Sequence, residues 1–261
     1  MALRSFIDNT GPPTATIAVV GDDQPGPLEA MLDETFETQS ISVEAATNDA
    51  VAFTDDLEIE AGGDVAVLLE NDVPVATSPM ADLYESLLAI NSDLFMTGAR
   101  GLGEIEFPDV LANLDETQLR LRGYPLAHKE KLLLIIVSRR IEQLAWNGDG
   151  GTLRSAFQQL SRINDEIGTH EVYTELAASD VDVHVYGVDD EATIDLDVTV
   201  HSGTTPTYRN GWFVVYRPDD PVDGSGSALV CLETEPRVWD GFWTDDTERV
   251  IEIDDAIARD L

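Results

Sequence analysis

The chain has 261 residues, with 51 Asp and Glu against 15 Lys and Arg and a formal net charge of -36. That charge repels itself in dilute buffer, whereas molar salt shortens the Debye length to about 3 Å and screens most of the repulsion, so the composition points to an intracellular protein adapted to salt. It argues against nucleic acid as a direct partner, because high salt also removes most counterion-release affinity.

From Ser5 to Ala99 there is no Lys, Arg or His, whereas Arg120, Arg122, Lys129, Lys131, Arg139 and Arg140 crowd a short central segment. The change in charge regime places a domain boundary between them. The N-terminal residues lack the apolar stretch of a secretory signal, and no apolar run approaches the ~20 residues needed to span a bilayer. A cytoplasmic protein without membrane attachment is expected. Thr16 to Val20 reads as a buried strand, Pro27 to Phe36 as a helix, and Ile41 to Ala45 as an alternating strand. Val65 to Glu70 and Val73 to Thr77 flank Asn71 and Asp72, a two-residue hairpin connection. Pro79 to Ile90 looks helical. The order predicts an acidic α/β domain over residues 1–95.

Residues 96–124 read as a connector, with one short helical candidate at Val110 to Leu114. Gly98, Gly101 and Gly103 lack the spacing of a phosphate loop, and no Gly-Lys-Ser/Thr follows. Residues 125–261 read as an α+β domain. Leu126 to Trp146 is a long helix, apolar on every side over Leu132 to Val137 and therefore enclosed, and Gly148, Gly150 and Gly151 end it. Leu153, Ala156, Phe157, Leu160, Ile163 and Ile167 fall at near-helical intervals up to Gly168, and Thr169 can cap a further helix carrying Val172, Tyr173 and Leu176. Alternation over Val181 to Val185 and Ile194 to Val200 marks strands. Trp212 to Tyr216 and Ala228 to Glu233 complete an antiparallel four-stranded sheet, and Thr247 to Ala258 forms a terminal helix. Cys231, the single cysteine, rules out an intramolecular disulfide and a cysteine-based zinc cluster.

LLLIIVSRRIEQLAW at Leu132 to Trp146, FQQLSRINDEIGTHEVYTELA at Phe157 to Ala177, VDVHVYG at Val181 to Gly187 and WDGFWT at Trp239 to Thr244 together resemble the DICT sensory domain. That domain is found beside signalling output modules of diguanylate cyclases and two-component systems. The whole chain resembles the haloarchaeal stand-alone form. The resemblance implies a sensory or regulatory role with a proposed link to light response; it names no ligand, cofactor or catalytic residue.

Within the resembling segments, Arg139, Arg140, Glu142, Arg162, Asp165 and Tyr173 are candidates for one polar centre. Guanidinium forks bind carboxylate or phosphate in two-pronged fashion and a tyrosine adds an apolar face with a hydroxyl, so the set fits either a ligand site or an internal ion-pair network. Trp239, Phe242 and Trp243 are candidates for a pocket wall, a partner surface or core. His184 and His201 lie on the polar side of their strands beside Asp182, Asp195 and Asp197, a weak candidate for metal ligation. No GxSxG accompanies the serines, and Ser161 is explained by its helix. The expected function is non-catalytic sensing of a small ligand or light-linked signal, passed to a signalling or regulatory protein. The alternatives are a small-molecule enzyme using the polar centre and a ligand-free scaffold.

Overall fold

The computed structural model describes residues 2–11, 15–20, 32, 36, 41–46, 64–91, 102–104, 107–122, 128–165, 167–222 and 225–261. Most of the helix expected over Pro27 to Phe36, and the segment around Gly98 and Gly101, lie outside them. Leu32 and Phe36 are described and fully buried.

Strands β1 (Ala15–Val20), β2 (Ser42–Ala46), β3 (Val65–Glu70) and β4 (Val73–Pro79) form a sheet in the order β2-β1-β3-β4. β1 and β2 run parallel, and the other pairs antiparallel. The β3–β4 hairpin turns where the sequence places it: Asn71 and Asp72 take φ of 50° and 65°, the left-handed pair that matches the twist of two-residue hairpins and that Asn and Asp tolerate. Alternation then separates the faces. Ile17, Val19, Ala66 and Leu68 point into the main core, while Ala18, Val20, Val65 and Val67 form a small second cluster. Helix α2 (Met80–Asn91) follows directly.

The second sheet differs from the antiparallel, four-stranded one expected, within an α+β class that holds. It has seven strands in the order β5-β11-β10-β9-β6-β7-β8. These are β5 (Leu119–Arg122), β6 (Gly151–Gln159), β7 (Val181–Val188), β8 (Thr199–Ser202), β9 (Gly211–Arg217), β10 (Ser227–Glu235) and β11 (Val238–Thr244). β6–β7 and β7–β8 are parallel, and the rest antiparallel.

Three sequence expectations are corrected here. The helix read through Leu153 and Phe157 is β6, because Leu153 and Ser155 fill one face of a middle strand while Ala156 fills the other. Gly151, at φ 116°, starts that strand where a Cβ would lie 2.4 Å from the Arg217 carbonyl. The strand read from Ile194 is confined to β8; Ile194, Leu196 and Val198 still pack on the core, but from an irregular segment with a turn between Leu196 and Val198. Thr169 lies buried inside a helix already begun at Ile167, so it caps nothing.

Both faces of the seven-stranded sheet are covered. On one lie α4 (His128–Asn147) and α6 (Ile167–Ala177), the latter reached through the short α5 (Arg162–Asp165). Leu133, Val137, Ile141 and Ala145 of α4 are fully enclosed with Leu153, Val183, Val214 and Leu229, which explains a helix apolar on all sides. The other face packs Phe213, Val215, Val230 and Phe242 under α1 (Ala2–Asn9) and α8 (Thr247–Asp260). Several contacts cross the boundary expected near residue 95, among them α1 on this C-terminal sheet and α2 on α4. The short helices α3 (Asp109–Ala112) and α7 (Pro206–Asn210) and a single 3-10 turn at Leu102–Glu104 complete the described elements. Among the described residues no helix is long and apolar enough to cross a membrane.

Candidate functional site

Helical spacing builds the centre of the molecule. Arg139 and Glu142 stand three residues apart on α4, Thr169 and Tyr173 four apart on α6, so each pair shares a face and the two faces meet. Arg139 Nη1 donates to Glu142 Oε2 at 2.5 Å and its Nη2 to Thr169 Oγ1 at 3.0 Å. The Tyr173 hydroxyl donates to Glu142 Oε1 at 2.9 Å. All four residues are buried, Glu142 and Tyr173 at only 3% and 1% exposure. Beneath them, on β6, Phe157 meets the Tyr173 ring edge-on at 5.1 Å.

Burial, followed by the Glu142 charge, pushes the Tyr173 phenol well above its ordinary value, against the opposing pull of Ser155 and Arg139. Tyr173 is therefore a fixed donor. The centre joins an ion pair of zero net charge to two neutral hydroxyl groups. Among the described residues, Arg139 Nε and Ser155 Oγ of β6 are enclosed without a well-formed hydrogen bond, Ser155 making only a loose approach to the Tyr173 hydroxyl. A dry guanidinium N–H with no acceptor is costly.

The other candidates for this centre go elsewhere. Arg140 turns away to grip Asp245 with two bonds of 3.0 and 2.7 Å and lies over the Phe107 ring. Arg162 donates to Gln158 Oε1 at 2.7 Å from the surface, and Asp165 is exposed. Of the six residues, Arg139, Glu142 and Tyr173 come together.

Phe242 and Trp243 are both fully buried, on opposite faces of β11. Arg249 of α8 sits over the Phe242 ring at 4.5 Å. Trp243 and the partly buried Trp239 lie on the core side that holds α4, and among the described residues their enclosed indole N–H groups have no acceptors. Between them Gly241 opposes Cys231, where a Cβ would come within 2.3 Å of Sγ. The aromatic segment thus lies inside the fold, where it offers a partner little area. Burial, then Asp240, raises the Cys231 thiol far above its ordinary value, so it stays protonated.

His184 and His201 meet on β7 and β8 as a pair, His184 Nδ1 to His201 Nε2 at 2.9 Å, with Asp182 on the other nitrogen of His184 at 3.0 Å. Among the described residues no group of three or more His, Cys, Asp and Glu is placed to hold a metal. The polar network that sequence reasoning missed lies on the same face. Asp254 of α8, 4% exposed, accepts from Arg154 Nε at 2.5 Å and from Arg217 Nη1 at 3.2 Å, and Arg154 also donates to the Tyr186 hydroxyl. Its one signal was an acid beside Ile253 and Ile257 on the apolar face of α8.

Comparisons with known proteins identify the part of the chain that holds this centre. Residues 109–233 match the model of the DICT family, described as a sensory domain in diguanylate cyclases and two-component system. No curated protein matches the chain. The crystal structure of polyphosphate kinase from Porphyromonas gingivalis is similar at 11% identity and a TM-score of 0.34, across 97% of this chain. The chain spans 47% of that kinase's length, and a likeness this low carries no argument about either fold or activity. Arg139, Glu142, Ser155, Thr169 and Tyr173 all fall within the residues, 109–233, that match the DICT sensory-domain family.

Proposed function

We propose that the chain is a non-catalytic regulatory protein of a salt-rich, haloarchaeal type of cytoplasm, whose sensory half binds a small ligand, or the molecule that carries a light-linked signal, and passes the change to a signalling protein. The match of residues 109–233 to a sensory-domain family supports the class of function. The observation that carries the ligand reading is the buried centre with Arg139 Nε and Ser155 Oγ unmet. A small polar molecule with a carbonyl or carboxylate oxygen satisfies the guanidinium N–H and engages the serine hydroxyl. The centre ties α4 to α6 and rests on β6, so a guest that prefers one spacing of these elements shifts the population toward it. The large acidic excess supports the salt-rich setting. The division into an acidic domain (1–95), a connector (96–124) and a sensory domain (125–261) belongs to the same proposal.

The test is native mass spectrometry and solvent extraction of the full chain purified in molar potassium chloride, with Arg139→Met and Ser155→Ala beside the wild type. The wild type should retain a small polar molecule that both variants lose while keeping the same circular dichroism. A molecule retained equally by all three places the ligand elsewhere, and turnover of the bound molecule overturns the non-catalytic reading.

A further inference from the structure

We propose that the His184–His201 pair is a proton-operated latch for the edge strand β8, held closed by one shared N–H···N bond and opened when a second proton enters. This is an input separate from the ligand centre, on the opposite face of the sheet. His184 belongs to β7 and His201 to β8, and the parallel register sets His201 against Tyr186. The ring centroids lie 5.2 Å apart with planes 19° from parallel. That separation is close to the 2.9 Å N···N distance plus the two ring radii, so the rings meet edge to edge in a linear bond and do not stack. A linear N–H···N bond holds one proton between two nitrogens. With both imidazoles charged, each facing nitrogen is a donor, and the bond becomes a repulsion.

The surroundings decide which way the pair leans. Asp182 of β7 faces the outer nitrogen of His184 but is 67% exposed, which weakens its pull through screening. Tyr186 stacks on His201 at 4.4 Å and 6°. Arg154 of β6, bonded to the Tyr186 hydroxyl and to Asp254 of α8, brings a positive charge toward His201. Tyr208 of α7 completes the aromatic wall, 6.4 Å from Tyr186, and Arg209 of α7 is turned to the Thr204 carbonyl. Burial first, then His184 and Arg154, lower the His201 value against a smaller opposing pull from Asp182. A depressed folded value means that the pair's stabilisation is complete above the ordinary histidine range of about 6.5 and is lost as pH falls through the lowered value.

The strand it latches is built to release. β8 is four residues long and lies at the sheet edge, with Thr199, Val200 and Ser202 exposed and an irregular segment before it. Its fastening to β7 is the register from His184–Thr199 to Gly187–Ser202, supplemented by Gly203 N–H donating to the Gly187 carbonyl at 3.2 Å. Opening exposes the β7 edge and the Tyr186 face.

The experiment follows histidine side-chain nitrogens by NMR in the full chain at molar salt, from alkaline to mildly acidic pH, with hydrogen exchange at residues 199–202 read in parallel. The pair should titrate in two steps at least about one pH unit apart. The protection of β8, taken relative to the intrinsic exchange rate at each pH, should fall at least about tenfold across the lower step while β9 and β10 stay protected. In His201→Gln, β8 protection should no longer change with pH; His184→Gln gives the same readout if the first variant does not fold. Independent titration of the two imidazoles, or β8 protection unchanged through the second step, overturns the proposal.

Discussion

Removing the Glu142 carboxylate strikes the buried centre at its most connected atom pair. Glu142→Ala deprives the Arg139 guanidinium of its counter-charge and the Tyr173 hydroxyl of its acceptor together, leaving Arg139 the Thr169 bond. The side chains of the pair are only 9% and 4% exposed, so water cannot take the missing partner's place. Breaking a buried ion pair from one side costs about 3–5 kcal/mol. For a chain of this length that lowers the melting temperature by about 6–20 °C. Glu142→Gln keeps an oxygen for Tyr173 and loses the charge, so it should fall between wild type and Ala. The double variant Arg139→Met/Glu142→Leu replaces both ions by apolar groups and should recover most of the loss, since such swaps are neutral or stabilise by about 1–4 kcal/mol. Denaturant unfolding at molar salt measures all four proteins. Glu142→Ala within about 0.5 kcal/mol of wild type, or a double variant as unstable as Glu142→Ala, refutes the reasoning.

Three further outcomes follow from charge and burial. Stability should rise with potassium chloride, because the 51 acids outnumber the basic groups more than threefold; melting followed by circular dichroism checks this, and full stability in dilute buffer contradicts it. Trp243→Ala should destabilise by about 3–5 kcal/mol, as expected for a fully buried indole; a variant that melts like wild type shows that Trp243 is not core. Asp115 has its carboxyl raised by burial, then by Asp245, so its folded form binds a proton more tightly than the unfolded chain and stability declines as pH rises through that raised value. Asp115→Asn should therefore melt higher than wild type at neutral pH, with the advantage vanishing as pH falls into the ordinary carboxylate range of about 3.9; an advantage independent of pH counts against this assignment.

Some of this fold is plain in the residues. The β3–β4 hairpin was legible because Asn-Asp between two apolar runs names a turn geometry, and α4 because twenty residues without Gly or Pro carry an apolar run too wide for one face. β6 was not, since Leu153, Ala156, Phe157 and Leu160 suit a helix locally, and only pairing to both β7 and β9 makes them a strand. Such tertiary override is invisible to periodicity. β5 and β11 were missed for a related reason: a four-residue strand has almost no period, and WDGFWT shows its alternation only once Gly241 is set against Cys231. In the site, consecutive helical residues point about 100° apart, so Arg139 and Arg140 were never able to share a centre. The Arg139–Glu142 spacing and the position of Tyr173 carried the true signal. Thr169 and Ser155 gave none, because a buried hydroxyl is recognisable only from what it faces.

Hydrogen exchange of the full chain in molar salt, before and after solvent extraction of the small molecule the proposal requires, tests the sensory account most directly. A guest at the Arg139–Ser155 centre predicts faster exchange in α4, α6 and β6 once it is removed, reversed when it is returned, with the β3–β4 hairpin unchanged. Exchange in those three elements that is the same in both preparations contradicts the claim that the buried centre transmits a signal.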